Sequence, residues 1–203
     1  MSTRSTLAAT AAAALTPLLV LAGCTPATPA TPSPTVVGTG PTAAAPQCTP
    51  EAGGTATPCT EQQYAEQKKL DALYTEAENV YRRFVAEDVK LLRSGGLAEG
   101  PVLDLIAGPM IERYAQRKKE QHDLSITMTG DVVIGPVHRL PGYSYEGSEA
   151  TLSTCLDGSG MVGYGPTGKN LGKGIVVVYN TYFKRVDGNL KLWWEKSQRA
   201  ESC

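Results

Sequence analysis

Histidine is scarce in this chain, with two among 203 residues. His122 falls at an expected helix end and His138 in an expected loop, and no Cys, Asp or Glu stands near either at metal-ligand spacing. Excess charge is missing too, since 19 Lys and Arg against 20 Asp and Glu leave a formal net charge of -1. That excludes a broad basic field for nucleic-acid phosphates. There is no Gly-x-Ser-x-Gly nucleophile elbow. Gly158-Ser159-Gly160-Met161-Val162-Gly163 has the spacing of a dinucleotide fingerprint, but Tyr164-Gly165-Pro166 follows where a helix would have to hold the pyrophosphate. Residues 163–170 approximate a P-loop, yet Asn170 replaces the hydroxyl that binds magnesium. Spacing therefore assigns no catalytic residue, metal ligand or cofactor. Asp131 and Asp157 read as strand-end or turn residues.

What is present begins with an address. Residues 1–4 carry one positive charge and residues 7–22 are rich in Ala, Leu and Val, which is the shape of a signal peptide. The apolar run is shorter than the roughly 20 residues that cross a bilayer, and it leads directly into Gly23, Cys24 and a Thr/Pro tract. Leu21-Ala22-Gly23-Cys24 resembles the lipobox of bacterial lipoproteins. That resemblance implies cleavage before Cys24, acylation of its thiol and a mature protein anchored on the extracytoplasmic face of the cell membrane. Two or more acyl chains anchor stably where one binds marginally.

The five cysteines cannot all pair, and setting Cys24 aside leaves Cys48, Cys59, Cys155 and Cys203. Four cysteines in an exported chain suit disulfides. Three pairings are open. Cys48 with Cys59 and Cys155 with Cys203 is the favoured one, because each joins cysteines of one region; the chain-entropy model assigns these loops about 3 and about 4 kcal/mol. Residues 24–59 are a tract of Thr, Pro, Ala and Gly with too little apolar surface to form a core. The expectation is a disordered, semi-rigid spacer, and its threonines beside prolines also suit O-glycosylation.

The globular part is expected at 60–203. Thr60 and Gln63 form a capping box, and Leu70, Leu73, Tyr74, Ala77, Val80, Tyr81, Phe84 and Leu91 recur at helical spacing before Gly95-Gly96. Lys68, Lys69, Glu78, Arg82 and Arg83 read as the solvated face. Pro101 and Pro109 each open a shorter helix, over 101–107 and 109–121, with Val102, Leu105, Ile106, Met110, Ile111 and Tyr114 inward. Arg117-Lys118-Lys119 reads as a cationic end that complements the helix dipole.

Beyond Asp123 the period falls to 2 around Leu124, Ile126 and Met128, followed by Val132 and Ile134. Further strands are expected at 148–156, 175–185 and 190–197, the last two joined through Asp187-Gly188. Their inward set reads as Ile175, Val177, Tyr179, Thr181 and Phe183 facing Leu190, Leu192 and Trp194. Helices followed by an antiparallel sheet make an α+β domain with helices on one face of a curved sheet. The long connection 157–174 is the candidate binding loop, with Met161, Tyr164 and Leu171 as contacts and Tyr143 and Tyr145 as partners.

This order of elements, with Cys155-Leu156-Asp157-Gly158-Ser159 in mid-sheet and a final cysteine after a Trp-containing strand, resembles small actinobacterial or actinophage lipoproteins of the nuclear-transport-factor-two-like class. The resemblance implies a cone-shaped domain of four or more strands, a fold shared with ketosteroid isomerase. It also supports the Cys155–Cys203 pair, provided residues 200–202 bend across, because strands two apart lie about 10 Å from each other and a disulfide needs Cα atoms within about 7 Å. The function it implies is a non-enzymatic envelope binding module for a protein, an envelope component or a small apolar ligand. The alternatives are an isomerase or hydrolase using a pocket carboxylate, and a phage lipoprotein that blocks a second infection.

Overall fold

The computed structural model describes residues 44–50 and 53–203. The expected signal peptide, Cys24 and the linker as far as residue 43 lie outside the described residues. The described chain opens with a two-stranded antiparallel ribbon, β1 (Gln47–Cys48) and β2 (Thr57–Pro58), closed by the Cys48–Cys59 disulfide. The Gln67 side-chain amide holds Thr49 on both sides: the Thr49 N–H donates to Oε1 at 3.2 Å, and Nε2 donates to the Thr49 carbonyl. The compact unit thus reaches back to Ala44, within the stretch that composition assigns to the linker. A disulfide and a backbone clamp order a segment that has little apolar surface of its own.

Helix α1 (Glu61–Ser94) starts at the expected capping box on Thr60 and ends at Gly95, whose φ of 66° only glycine adopts at little cost. Its 34 residues span about 51 Å at 1.5 Å per residue. Tyr74, Ala77, Val80, Tyr81, Phe84 and Val85 are buried along one stripe. A 3-10 helix (Gly100–Leu105) and α2 (Pro109–Asp123) follow, each with proline in its first turn. Val102, Leu105, Ile106, Met110 and Tyr114 point inward as expected, whereas Ile111 is 44% exposed.

The strands are β3 (Thr127–Thr129), β4 (Val133–Arg139), β5 (Ala150–Asp157), β6 (Val162–Tyr164), β7 (Asn170–Lys173), β8 (Val176–Val186) and β9 (Asn189–Ala200). They form an antiparallel sheet in the order β4-β5-β8-β9 and a smaller antiparallel one in the order β3-β6-β7. The structure is therefore α+β, with a long helix packed on antiparallel sheets. The long connection 157–174 is not one open loop: it contains the β6–β7 hairpin, which pairs with β3. His138 belongs to β4 rather than to a loop.

The β8–β9 hairpin turns at Asp187-Gly188, both at positive φ, as a two-residue connection requires. Its register departs from strict alternation. Phe183 pairs with Leu192 and Tyr182 with Trp194, so Trp193 is an extra residue at a bulge. The bulge turns Trp194 away from the core, correcting the expected inward set, and returns Glu195 to the inner face opposite Thr181. Ile175, expected inward, precedes β8 and lines the cavity described below, though it remains 46% exposed. Gly108 accommodates the bulge, because a side-chain carbon there would overlap the Trp193 ring.

Cys155 on β5 and Cys203 form the second disulfide, with Cα atoms 5.6 Å apart. Because β8 lies between β5 and β9, the tail beyond Ala200 crosses to reach Cys155, and the Cys203 side chain comes to rest near Gly135 of β4.

Candidate functional site

Where α1 and α2 cover the inner face of the larger sheet, they leave a cavity of about 280 Å³. Its wall is largely apolar: Phe84, Val85 and Leu92 from α1, Met128 of β3, Leu156 of β5, Val177 of β8, and Val132, Met161 and Ile175 from connections. Asp88, Arg117, Lys118, Glu195, Tyr81 and Tyr179 add charge and hydroxyl groups to the same lining.

The charges are arranged as two pairs. Lys118 is 1% exposed, and its Nζ lies 2.6 Å from Oδ1 of Asp88. The same carboxylate oxygen accepts from the Tyr114 hydroxyl at 2.8 Å. Glu195, 3% exposed, accepts from Nη1 of Arg117 at 2.9 Å, while Arg113 donates to the Glu195 carbonyl. Two cations thus pair with two anions, and Arg113, on the Glu195 carbonyl, adds a third positive charge beside them. Burying either carboxylate alone would be costly; pairing and hydrogen bonding make it tolerable.

These surroundings move several proton affinities. Burial pushes the Lys118 ammonium below the usual lysine range, with the Asp88 charge opposing that shift. Burial raises the Tyr81 hydroxyl, assisted by the charge of Glu195, and raises the Tyr179 hydroxyl in the same way. Tyr114 is raised by burial and by Asp88. For Arg117, burial acts against the charge but Glu195 and Asp88 outweigh it, so its affinity rises. All three tyrosines therefore stay protonated, as donors, through the neutral range.

Of the expected binding-loop residues, the structure brings Met161 alone into this cavity, where it is 2% exposed. Tyr164 lies on β6 and Leu171 on β7, the latter half exposed. Tyr143 is 65% exposed. Tyr145 stacks on Trp194 with centroids 5.7 Å apart and packs against Tyr182, on the sheet face opposite the cavity. His122 bonds the Gly95 carbonyl through Nδ1 at 2.9 Å, joining the ends of α1 and α2, and Asp131 pairs with Arg93. Asp157 accepts from the Ser159 N–H, as a turn residue does.

The charged residues of the cavity escaped sequence reading for identifiable reasons. Lys118 sits in a basic run that resembles a helix end, but the helical turn spacing from Tyr114 places it on the buried stripe. Glu195 appears outward until the bulge is counted, and two consecutive tryptophans before it were the available signal. Asp88 lies four positions after Phe84 and so belonged on the inward face of α1. Comparison of the chain with protein-family models finds no match, and comparison with curated proteins finds none either. No helix among the described residues is long and apolar enough to cross a membrane.

Proposed function

We propose that this chain is a lipoprotein anchored through Cys24 on the extracytoplasmic face of the cell membrane. Its domain, of the nuclear-transport-factor-two-like kind, binds a small amphiphilic molecule between its helices and its sheet. The observation that carries this reading is the cavity itself: about 280 Å³ of largely apolar wall with two ion pairs in its lining. A dry apolar cavity of about 150 Å³ holds benzene, so this one has room for a bicyclic ring or a short acyl chain. The tether rests on the signal shape, the tetrad ending in Cys24 and the odd number of cysteines.

Binding suits the site better than isomerase or hydrolase chemistry does. A general base needs a carboxylate free to take a proton at the reacting atom. Asp88 is engaged by Lys118 and Tyr114, and Glu195 by Arg117. The test is a fluorescence titration with N-phenyl-1-naphthylamine, which brightens in apolar surroundings. Wild-type protein is expected to enhance it saturably, and Val177→Trp, which fills the cavity, to lose the enhancement while keeping its circular dichroism. Equal enhancement by both proteins would refute the assignment.

A further inference from the structure

The larger sheet turns its other face away from the cavity. Tyr179 of β8 and Glu195 of β9 line the cavity, so the next residues along each strand, Asn180 and Lys196, point to the opposite face. Leu152 and Leu156 face inward on β5, which turns Ser153 outward. On β4, His138 lies between Val137, which packs on the core, and Arg139, which pairs with Asp71 of α1, so it points outward too. The register sets these four side by side, one from each strand, in the order His138, Ser153, Asn180, Lys196. With strands about 4.8 Å apart the row is about 14 Å long.

Other segments lie over the outward rows on either side of it. Thr151, Tyr182 and Trp194 are covered by residues 143–145: Tyr145 packs on both rings, and the Thr151 hydroxyl donates to the Tyr143 carbonyl at 2.7 Å. Cys155 and Val178 form the row on the other side, which the tail crosses to place Cys203 on Cys155. The row is thus the floor of a groove with two walls. His138, Ser153 and Asn180 make no side-chain hydrogen bond among the described residues. Nζ of Lys196 lies 5.3 Å from the Tyr145 ring centroid and 5.8 Å from that of Tyr182, and meets no carboxylate among those residues.

The chemistry of the floor decides what fits. Imidazole, hydroxyl and amide each donate and accept, as the hydroxyls of a sugar do. The carboxylates of this side lie beyond the walls: Asp157 opposite Val176 and bonded to the Ser159 N–H, Glu201 beside Ile175 and Arg199, Glu146 bonded to Nε1 of Trp193, and Glu149 paired with Arg185. Lys184, over the Trp193 ring, and Arg113, over the Trp194 ring, are outside the floor as well. Between the walls the charge is therefore that of Lys196. A second copy of the chain would set this cation-bearing face against itself, whereas an anionic partner complements it. We propose that the groove binds an acidic oligosaccharide, its hydroxyls on His138, Ser153 and Asn180 and a carboxylate on Lys196.

The test is an NMR titration of the full-length, oxidised, ¹⁵N-labelled protein. It follows the side-chain amide of Asn180, with Asn170 on β7 and Asn189 at the β8–β9 turn as references. The probes are trigalacturonate, its trimethyl ester and triglutamate. Trigalacturonate is expected to shift the Asn180 amide saturably, leave both references unmoved and bind about threefold tighter than the ester, as an exposed ion pair allows. Triglutamate should bind more weakly than trigalacturonate. Lys196→Gln should remove the advantage of the acid and leave the affinity for the ester unchanged, whereas Lys169→Gln, the same change of charge at an exposed residue before β7, should preserve that advantage. Equal affinities for acid and ester, or no shift of Asn180 with either sugar, would overturn the proposal. So would triglutamate binding as tightly as trigalacturonate, which would assign the groove to acidic peptides, or an Asn180 shift on dilution without any probe, which would assign the face to a second copy. Each of these results leaves the cavity on the other side of the sheet to its own test.

Discussion

Replacing Asp88 with asparagine keeps the shape of the side chain and an oxygen for the Tyr114 hydroxyl, and removes only the negative charge beside Lys118. Lys118 is 1% exposed and would be left as a buried cation without its counter-ion. Breaking a buried pair in this way costs about 3–5 kcal/mol, and the 21% exposure of Asp88 places the change near the lower bound, about 3 kcal/mol. With a urea m-value of about 2 kcal/mol/M, the unfolding midpoint should fall by about 1.5 M. The pH dependence gives an independent check. Burial already holds the folded-state proton affinity of Lys118 below the ordinary lysine value of 10.5, and Asp88 limits that shift. Without the carboxylate the folded-state value falls further, so between it and 10.5 the unfolded chain binds more protons than the folded one. The variant should therefore gain stability as pH rises through that alkaline window, more steeply than wild type. Lys118→Met in the same background should restore much of the loss, because the pair is coupled. Urea melts followed by tryptophan fluorescence at neutral and alkaline pH would measure all three effects. A loss below about 1 kcal/mol with parallel pH profiles, or strict additivity of the two substitutions, would show that Lys118 is not a buried, Asp88-dependent cation.

Gly108→Ala should destabilise by about 2–4 kcal/mol, since it forces a side chain to φ 56° and against the Trp193 ring; adding Trp193→Ala should recover part of this, and denaturant melts would show whether it does. Cys155→Ser with Cys203→Ser should cost up to about 4 kcal/mol by releasing the tail, again read from melts. Cys48→Ser with Cys59→Ser should instead speed hydrogen exchange in β1 and β2 and leave that of β8 and β9 unchanged. Cys24→Ala should move the protein from the membrane to the soluble fraction with its domain still folded, and unchanged fractionation would count against lipidation.

Local rules made much of the fold legible. The capping box on Thr60, the Gly95 stop, the two helix-opening prolines and the Asp187-Gly188 turn are all decided by backbone chemistry within a few residues, and each stands where those rules put it. Both disulfides join the expected partners, the second because the tail bends across an intervening strand. The β1–β2 ribbon was hidden because its order comes from a disulfide and from the distant Gln67 side chain, which composition does not register. The cavity was less legible than the fold. Inward-facing Tyr81, Phe84, Val177 and Tyr179 followed from periodicity, but one extra residue at Trp193 reverses the parity of β9 and exchanges Trp194 for Glu195. Period-2 reasoning cannot anticipate such a shift without the partner strand.

The most direct measurement is mass spectrometry of the intact protein isolated from its native cells, first under native conditions and then after denaturation. A binding module with a cavity of about 280 Å³ should carry one small molecule of matching size per chain, release it on unfolding, and lose it when Val177→Trp fills the space. Wild type free of any bound molecule, or a molecule retained equally by the filled variant, would contradict the assignment of this cavity as the functional site.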